Sequence, residues 1–144
     1  MRDAQGVAFD TSVLIAFFAD ERPWAGAAEE MLTAVARRPA LAVFPAVVIT
    51  ELLTVDARVE RDERLRRFEE LRSELPRHVI APVDYAAART AARFRAELGV
   101  KTPDALILAS AEQQGADTFI TNDRLLAKKA SSVVKCVLLD DLLP

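Results

Sequence analysis

Short, uninterrupted apolar runs alternate along this chain with longer segments in which apolar positions recur at helical spacing. Gly6 to Phe9 predicts a first strand ending at Asp10, and Thr11 and Ser12 offer an N-cap for a helix over Val13 to Ala19. Pro23 opens a second helix through Trp24, Met31, Leu32 and Val35 to Arg37. Leu41 to Phe44 predicts a second strand. Pro45 then starts a helix at its first position, where a missing N–H forfeits no hydrogen bond.

Asp62 to Leu75 predicts a charged helix ended by Pro76, and His78 to Ala81 a third strand. Asp84 caps an Ala-rich helix that Gly99 stops. Thr102-Pro103-Asp104 opens a helix to Gln114, with Gly115 as its stop. Thr118 to Thr121 is a fourth strand, followed by Asn122-Asp123 and a short helix, and Val133 to Leu139 is the last strand. Strands separated by helices pair in parallel, and their continuous apolar character implies a sheet covered on both faces. The pattern therefore predicts a three-layer α/β/α sandwich, one domain over residues 1–144. In such sheets ligands bind beyond the carboxyl ends of the strands, near the point where strand order reverses.

Composition narrows the function. At 51% hydrophobic and 28% charged the chain is not a disordered one. Its net charge of −3 gives no global attraction to nucleic acid, so such a partner would be held by a local patch or a metal. The uncharged stretch Pro39 to Thr50 is shorter than the ~18 apolar residues of a membrane span. Thr11 to Ala19 has the apolar character of a signal peptide, but Asp3 and Asp10 outweigh Arg2 ahead of it. The lone Cys136 reads as a small buried hydrophobe, and a reducing cytoplasm suits it.

Several chemistries lack their residues. His78 is the one histidine, so paired imidazoles are unavailable, and it reads as the start of a strand. The four glycines form no phosphate loop, and neither a Cys/His zinc set nor a G-x-S-x-G elbow is present. Carboxylates remain. Asp10 interrupts an apolar stretch from Val7 to Ala19, where an uncompensated charge is costly, although a helix cap would also explain it. Asp123 repeats the arrangement after the fourth strand, again as a site or a cap. Asp104 falls in the first turn of its helix, where the dipole favours acids, yet shares a face with Leu108 and Ala111. Glu51 joins Thr50, Thr54 and Arg58, flanked by Val48 and Val55, in a stripe that faces solvent or lines a cleft. Two unit charges ~5 Å apart cost about 3 kcal/mol at an effective dielectric of 20, so clustered carboxylates need protons or a cation. Oxygen ligands alone suit Mg²⁺ or Mn²⁺.

Four segments carry a family resemblance: Phe9-Asp10-Thr11-Ser12-Val13-Leu14-Ile15-Ala16, Thr50-Glu51-Leu52-Leu53, Thr102-Pro103-Asp104-Ala105-Leu106-Ile107-Leu108-Ala109 and Phe119-Ile120-Thr121-Asn122-Asp123. In this order the chain resembles the PIN-domain nucleases, and most closely the VapC ribonuclease toxins of bacterial toxin–antitoxin pairs. The resemblance implies a mainly parallel five-stranded sheet and an acidic quartet of Asp10, Glu51, Asp104 and Asp123. It implies a Mg²⁺- or Mn²⁺-dependent endoribonuclease, homodimeric and silenced by a cognate antitoxin. Asp10 and Asp104 would ligate the metal directly, with Glu51 and Asp123 holding a second ion or orienting water. Thr11, Ser12, Thr121 and Asn122 would support the site.

Weaker signals surround this set. The arginines from Arg58 to Arg72 are interleaved with acids and read as ordinary helix-face pairs. Arg89 and Arg93, one turn apart and less neutralised, are candidate RNA contacts, as is Lys101 beside Asp104. Phe17, Phe18 and Trp24 read as core or as a partner groove. Three alternatives stand beside the toxin: a housekeeping PIN nuclease, a non-catalytic binding module, and a phosphatase with Asp10 as nucleophile. Ser12 stands where that phosphatase would want a second Asp.

Overall fold

The computed structural model describes residues 3–54 and 61–144, so Arg2, Val55, Arg58 and Glu60 lie outside the described residues. The strands are β1 (Gly6–Phe9), β2 (Leu41–Pro45), β3 (His78–Ala81), β4 (Thr118–Thr121) and β5 (Lys135–Leu138). The helices are α1 (Thr11–Phe18), α2 (Trp24–Ala36), α3 (Ala46–Leu53), α4 (Arg61–Ser73), α5 (Tyr85–Leu98), α6 (Thr102–Gln113) and α7 (Arg124–Ala130). All five strands pair in parallel in the order β3-β2-β1-β4-β5, giving the α/β sandwich that the sequence pattern predicts.

This order positions the site. The chain leaves β1 toward β2 and β3, then returns to β4 on the opposite side of β1. Right-handed crossovers put the outgoing and returning helices on opposite faces. The order reverses between β1 and β4, the place where such sheets bind ligands, and Asp10 and Asp123 follow these two strands. Both strands are buried throughout, which fixes the strand ends that carry these residues.

Aromatic packing ties the layers together. Phe9 on β1 stacks on Phe44 of β2 at 5.6 Å between centroids, and Phe68 of α4 meets Phe44 edge-on at 5.2 Å. On the returning side, α6 buries Ala105, Ile107, Leu108, Ala109 and Ala111. That burial is what an almost wholly apolar segment requires. Gly99 ends α5 at φ 69°, a left-handed conformation that glycine adopts without a Cβ penalty, and lets α6 start beside the end of α5.

Local departures from the sequence reading have physical causes. Thr11 and Ser12 are helical residues of α1, not its caps. Asp10 takes the cap position, and its carboxylate is engaged elsewhere. Pro45 closes β2 in register with Ala81 and precedes α3 instead of opening it. β5 starts at Lys135 because the Val133 and Val134 amides still bond to the Ala130 carbonyl, and Leu139–Leu142 forms a 3-10 turn. The α4 arginines do more than pair with their own helix. Arg66 and Arg72 meet Glu70 and Glu69, but Arg64 and Arg61 bond to the Leu52 and Leu53 carbonyls at the end of α3, and Arg67 bonds to the Phe18 carbonyl. Phe18 is core, whereas Phe17 and Trp24 are half-buried. His78 accepts a bond from Arg72 at 3.3 Å and takes no part in the acidic site. Among the described residues no helix is long and apolar enough to cross a membrane.

Candidate active site

Asp10 is the anchor. Its amide donates to the Ile120 carbonyl at 2.9 Å, extending the β1–β4 ladder one residue past the strand, and the residue is only 6% exposed. Two hydroxyls converge on a single carboxylate oxygen: Thr121 Oγ1 donates to Oδ2 at 2.7 Å and Ser12 Oγ at 3.1 Å. Each hydroxyl is itself oriented by a backbone donor. The Asp123 amide donates to Thr121 Oγ1 at 3.0 Å, and the Asn122 amide to Ser12 Oγ at 2.9 Å. Burial pushes the Asp10 carboxyl up to about 6, against the pull of the Thr121, Ser12 and Thr11 hydrogen bonds, and the nearby Asp104 charge pushes the same way.

Asp104, half-buried in the first turn of α6, is the electrostatic centre of the group. Desolvation raises its pKa, the charges of Asp123 and Glu51 add to the rise, and Lys101 and Lys129 oppose it. Glu51 is the one acid of the four on α3. It is exposed, but its Oε1 accepts from Thr11 Oγ1 at 2.7 Å, so the end of α3 is tied to the start of α1 beside Asp10. Asp123 serves as a cap in fact, since its Oδ1 accepts from the Leu126 amide at 3.0 Å at the start of α7. The cap does not consume its charge, which still acts on Asp104.

The four acids thus belong to one electrostatically coupled group at the carboxyl edge of the sheet. Among the described residues, no three of the acidic, histidine or cysteine side chains close into a ready-made metal cage. The group is looser than that. Its donor chemistry nonetheless fits a hard divalent cation: the acids supply only oxygen ligands, and one buried oxygen among the supporting residues, Asn122 Oδ1, has no hydrogen-bond partner.

Lys101 takes the N-cap position of α6, beside Asp104, as its sequence position implied. Lys129 escaped the sequence reading. Its Nζ donates to the Gly99 carbonyl at 3.0 Å, which carries its charge from the last turn of α7 across to the α5–α6 junction. A lysine near a helix C-terminus is ordinary in sequence, and no local signal marks this one. Arg89 and Arg93 are exposed on α5, outside the acidic group.

A family model described as PIN domain matches residues 7–131, a span that contains all four acids. The chain belongs to the PIN-domain family. No curated protein matches this PIN domain in sequence. Among solved structures, it is similar to a toxin–antitoxin complex from Klebsiella pneumoniae at 22% identity and a TM-score of 0.68, over 92% of this chain and 97% of that one. VapBC2 from Rickettsia felis, bound to a promoter DNA fragment, matches at 15% identity and a TM-score of 0.68, over 92% and 98% of the two chains. VapBC-5 from Mycobacterium tuberculosis matches at 24% identity and a TM-score of 0.56, over 93% and 97%. At these identities the likeness is one of fold.

Proposed function

We propose that this PIN domain is a divalent-metal-dependent endoribonuclease and the toxin of a toxin–antitoxin pair. The observation that carries the reading is the placement of a doubly clamped, buried Asp10 at the β1–β4 reversal, coupled to Asp104 and through it to Asp123 and Glu51. A structural cap needs none of this. The fold shared with toxin–antitoxin complexes supports the toxin role and a cognate antitoxin as partner; a homodimer working in the cytoplasm completes the proposal.

Asp10 and Asp104 would hold Mg²⁺ or Mn²⁺ directly. Bound there, the ion would polarise the scissile phosphate and lower the pKa of the attacking water. Thr121 and Ser12 fix the Asp10 carboxylate in one rotamer, so the ligand needs no reorganisation when the ion arrives. Thr11 holds Glu51 beside Asp10, where it and Asp123 would orient water or hold a second ion. Lys101 and Lys129 offset the acidic potential around Asp104, and their ammonium groups meet the incoming phosphate.

Incubating a total RNA pool with the wild-type chain and Asp104→Asn, each with and without EDTA, tests the reading. Cleavage by the wild type alone, abolished by EDTA, is the expected result; equal cleavage by both chains would contradict it. For the toxin role, expression should arrest growth and a small neighbouring gene product should relieve the arrest. Harmless expression of an active enzyme would point to a housekeeping nuclease.

A further inference from the structure

The outward face of α5 has a composition unlike the rest of this acidic chain. Ala87, Ala91 and Phe94 are buried, so the opposite side of the helix faces water. That side presents Tyr85, Arg89 and Arg93 at successive turns, and Ala86, Arg89, Thr90 and Arg93 line a shallow groove along it. Tyr85 is 79% exposed, so its ring packs no core. The Arg89 guanidinium lies 5.8 Å from the Tyr85 ring centroid, and that of Arg93 5.4 Å from the Phe94 ring. Among the described residues neither arginine has an acidic partner, whereas Arg66 and Arg72 of α4 are neutralised by Glu70 and Glu69.

We propose that this face of α5 is a track for single-stranded RNA, with neighbouring phosphates on Arg89 and Arg93 and a base stacked on Tyr85. The proposal rests on the reading of the acidic pocket as a ribonuclease centre and adds the path of the strand. Four residues of helix rise about 6 Å, which sets the two guanidinium groups one turn apart along the groove. Ala86 and Thr90 keep the groove floor low, so a backbone can approach. An exposed ring beside an unpaired guanidinium offers one surface to a base and one charge to a phosphate, and only an unpaired strand has bases free to use the ring. The track also leads to the pocket. α5 ends at Gly99, whose carbonyl Lys129 holds, and Lys129 and Lys101 both act on Asp104.

Anisotropy of a labelled single-stranded oligoribonucleotide in EDTA, where the strand is not consumed, tests this. Arg89→Ala and Arg93→Ala should each weaken binding and flatten the slope of log affinity against log salt by about 0.7. Tyr85→Ala should weaken binding roughly five- to a hundred-and-fifty-fold for the single strand and leave a duplex unaffected, with Tyr85→Phe close to wild type. Arg66→Ala, which removes an equal charge from α4, should bind as wild type does. Wild-type affinity and slope in the α5 variants would overturn the track. So would unchanged RNA affinity with a loss of self-association or of binding to an acidic protein, which would make the face a protein interface. If the wild type cleaves RNA while the α5 variants are unaffected, the track alone falls; if the wild type neither binds nor cleaves, the ribonuclease reading falls with it.

Discussion

Thr121 donates its hydroxyl to Asp10 Oδ2 at 2.7 Å across 111 positions of the chain, and accepts the Asp123 amide on the same oxygen at 3.0 Å. Ser12 relays between the Asn122 amide and Asp10 in the same way. The end of β4 therefore grips the carboxylate that ends β1 through two hydroxyls, each acting as donor and acceptor at once. The clamp joins the two strands that flank the sheet's reversal point.

Thr121→Val keeps the shape of the side chain and removes both bonds. The Asp123 amide then loses its partner and the buried Asp10 Oδ2 keeps only Ser12, which costs about 1–3 kcal/mol. Urea unfolding should register that loss, and Thr121→Ser should restore most of it. The same variant should move the acid limb of RNA cleavage to higher pH, because Asp10 loses a bond that favours its charged form.

The Asp10 carboxyl, raised to about 6 from an unfolded value of 3.8, gives stability a definite pH dependence. Between those values the folded state binds more protons than the unfolded one, so stability falls as pH rises through that window and is level above it. The difference corresponds to about 3 kcal/mol at neutral pH. Asp10→Asn, which has no charge to desolvate, should therefore be more stable than wild type at pH 8, by chemical denaturation in EDTA, with the advantage fading toward pH 4. A variant that is less stable at pH 8 would contradict the buried-charge account.

Asp123 has two roles that substitution can separate. Asp123→Ala should lose the α7 cap at a cost of about 1 kcal/mol, while Asp123→Asn keeps a capping oxygen and most of that stability. Both should lose RNA cleavage, because neither keeps the charge that acts on Asp104. Full activity in Asp123→Asn would reduce the residue to a cap.

The strands and the two acids that follow β1 and β4 were legible in the sequence, because strands buried on both faces are apolar runs and a carboxylate that interrupts one is conspicuous. Roles decided by distant partners were not. Capping rules apply to neighbours along the chain, so they could not foresee that Ser12 would bond the Asn122 amide or that Thr11 would reach Glu51. The same blindness hid Lys129, whose partner carbonyl lies thirty positions away.

Lys129→Met removes one of the two charges that lower the Asp104 pKa. The Asp104 pKa should rise, so Mn²⁺ affinity should weaken more at pH 6 than at pH 8, and Lys129→Arg should restore it. Equal weakening at both values would mean that the lysine acts only through its bond to Gly99.

The most direct measurement is a calorimetric titration of Mn²⁺ into the wild-type chain and into Asp104→Asn, with melting temperatures taken at each end point. Binding to the folded wild type should give a saturable heat signal and raise its melting temperature by linkage, and Asp104→Asn should show neither effect. Identical binding by the two chains, or no binding by the wild type, would contradict an acidic pocket built to hold a divalent ion.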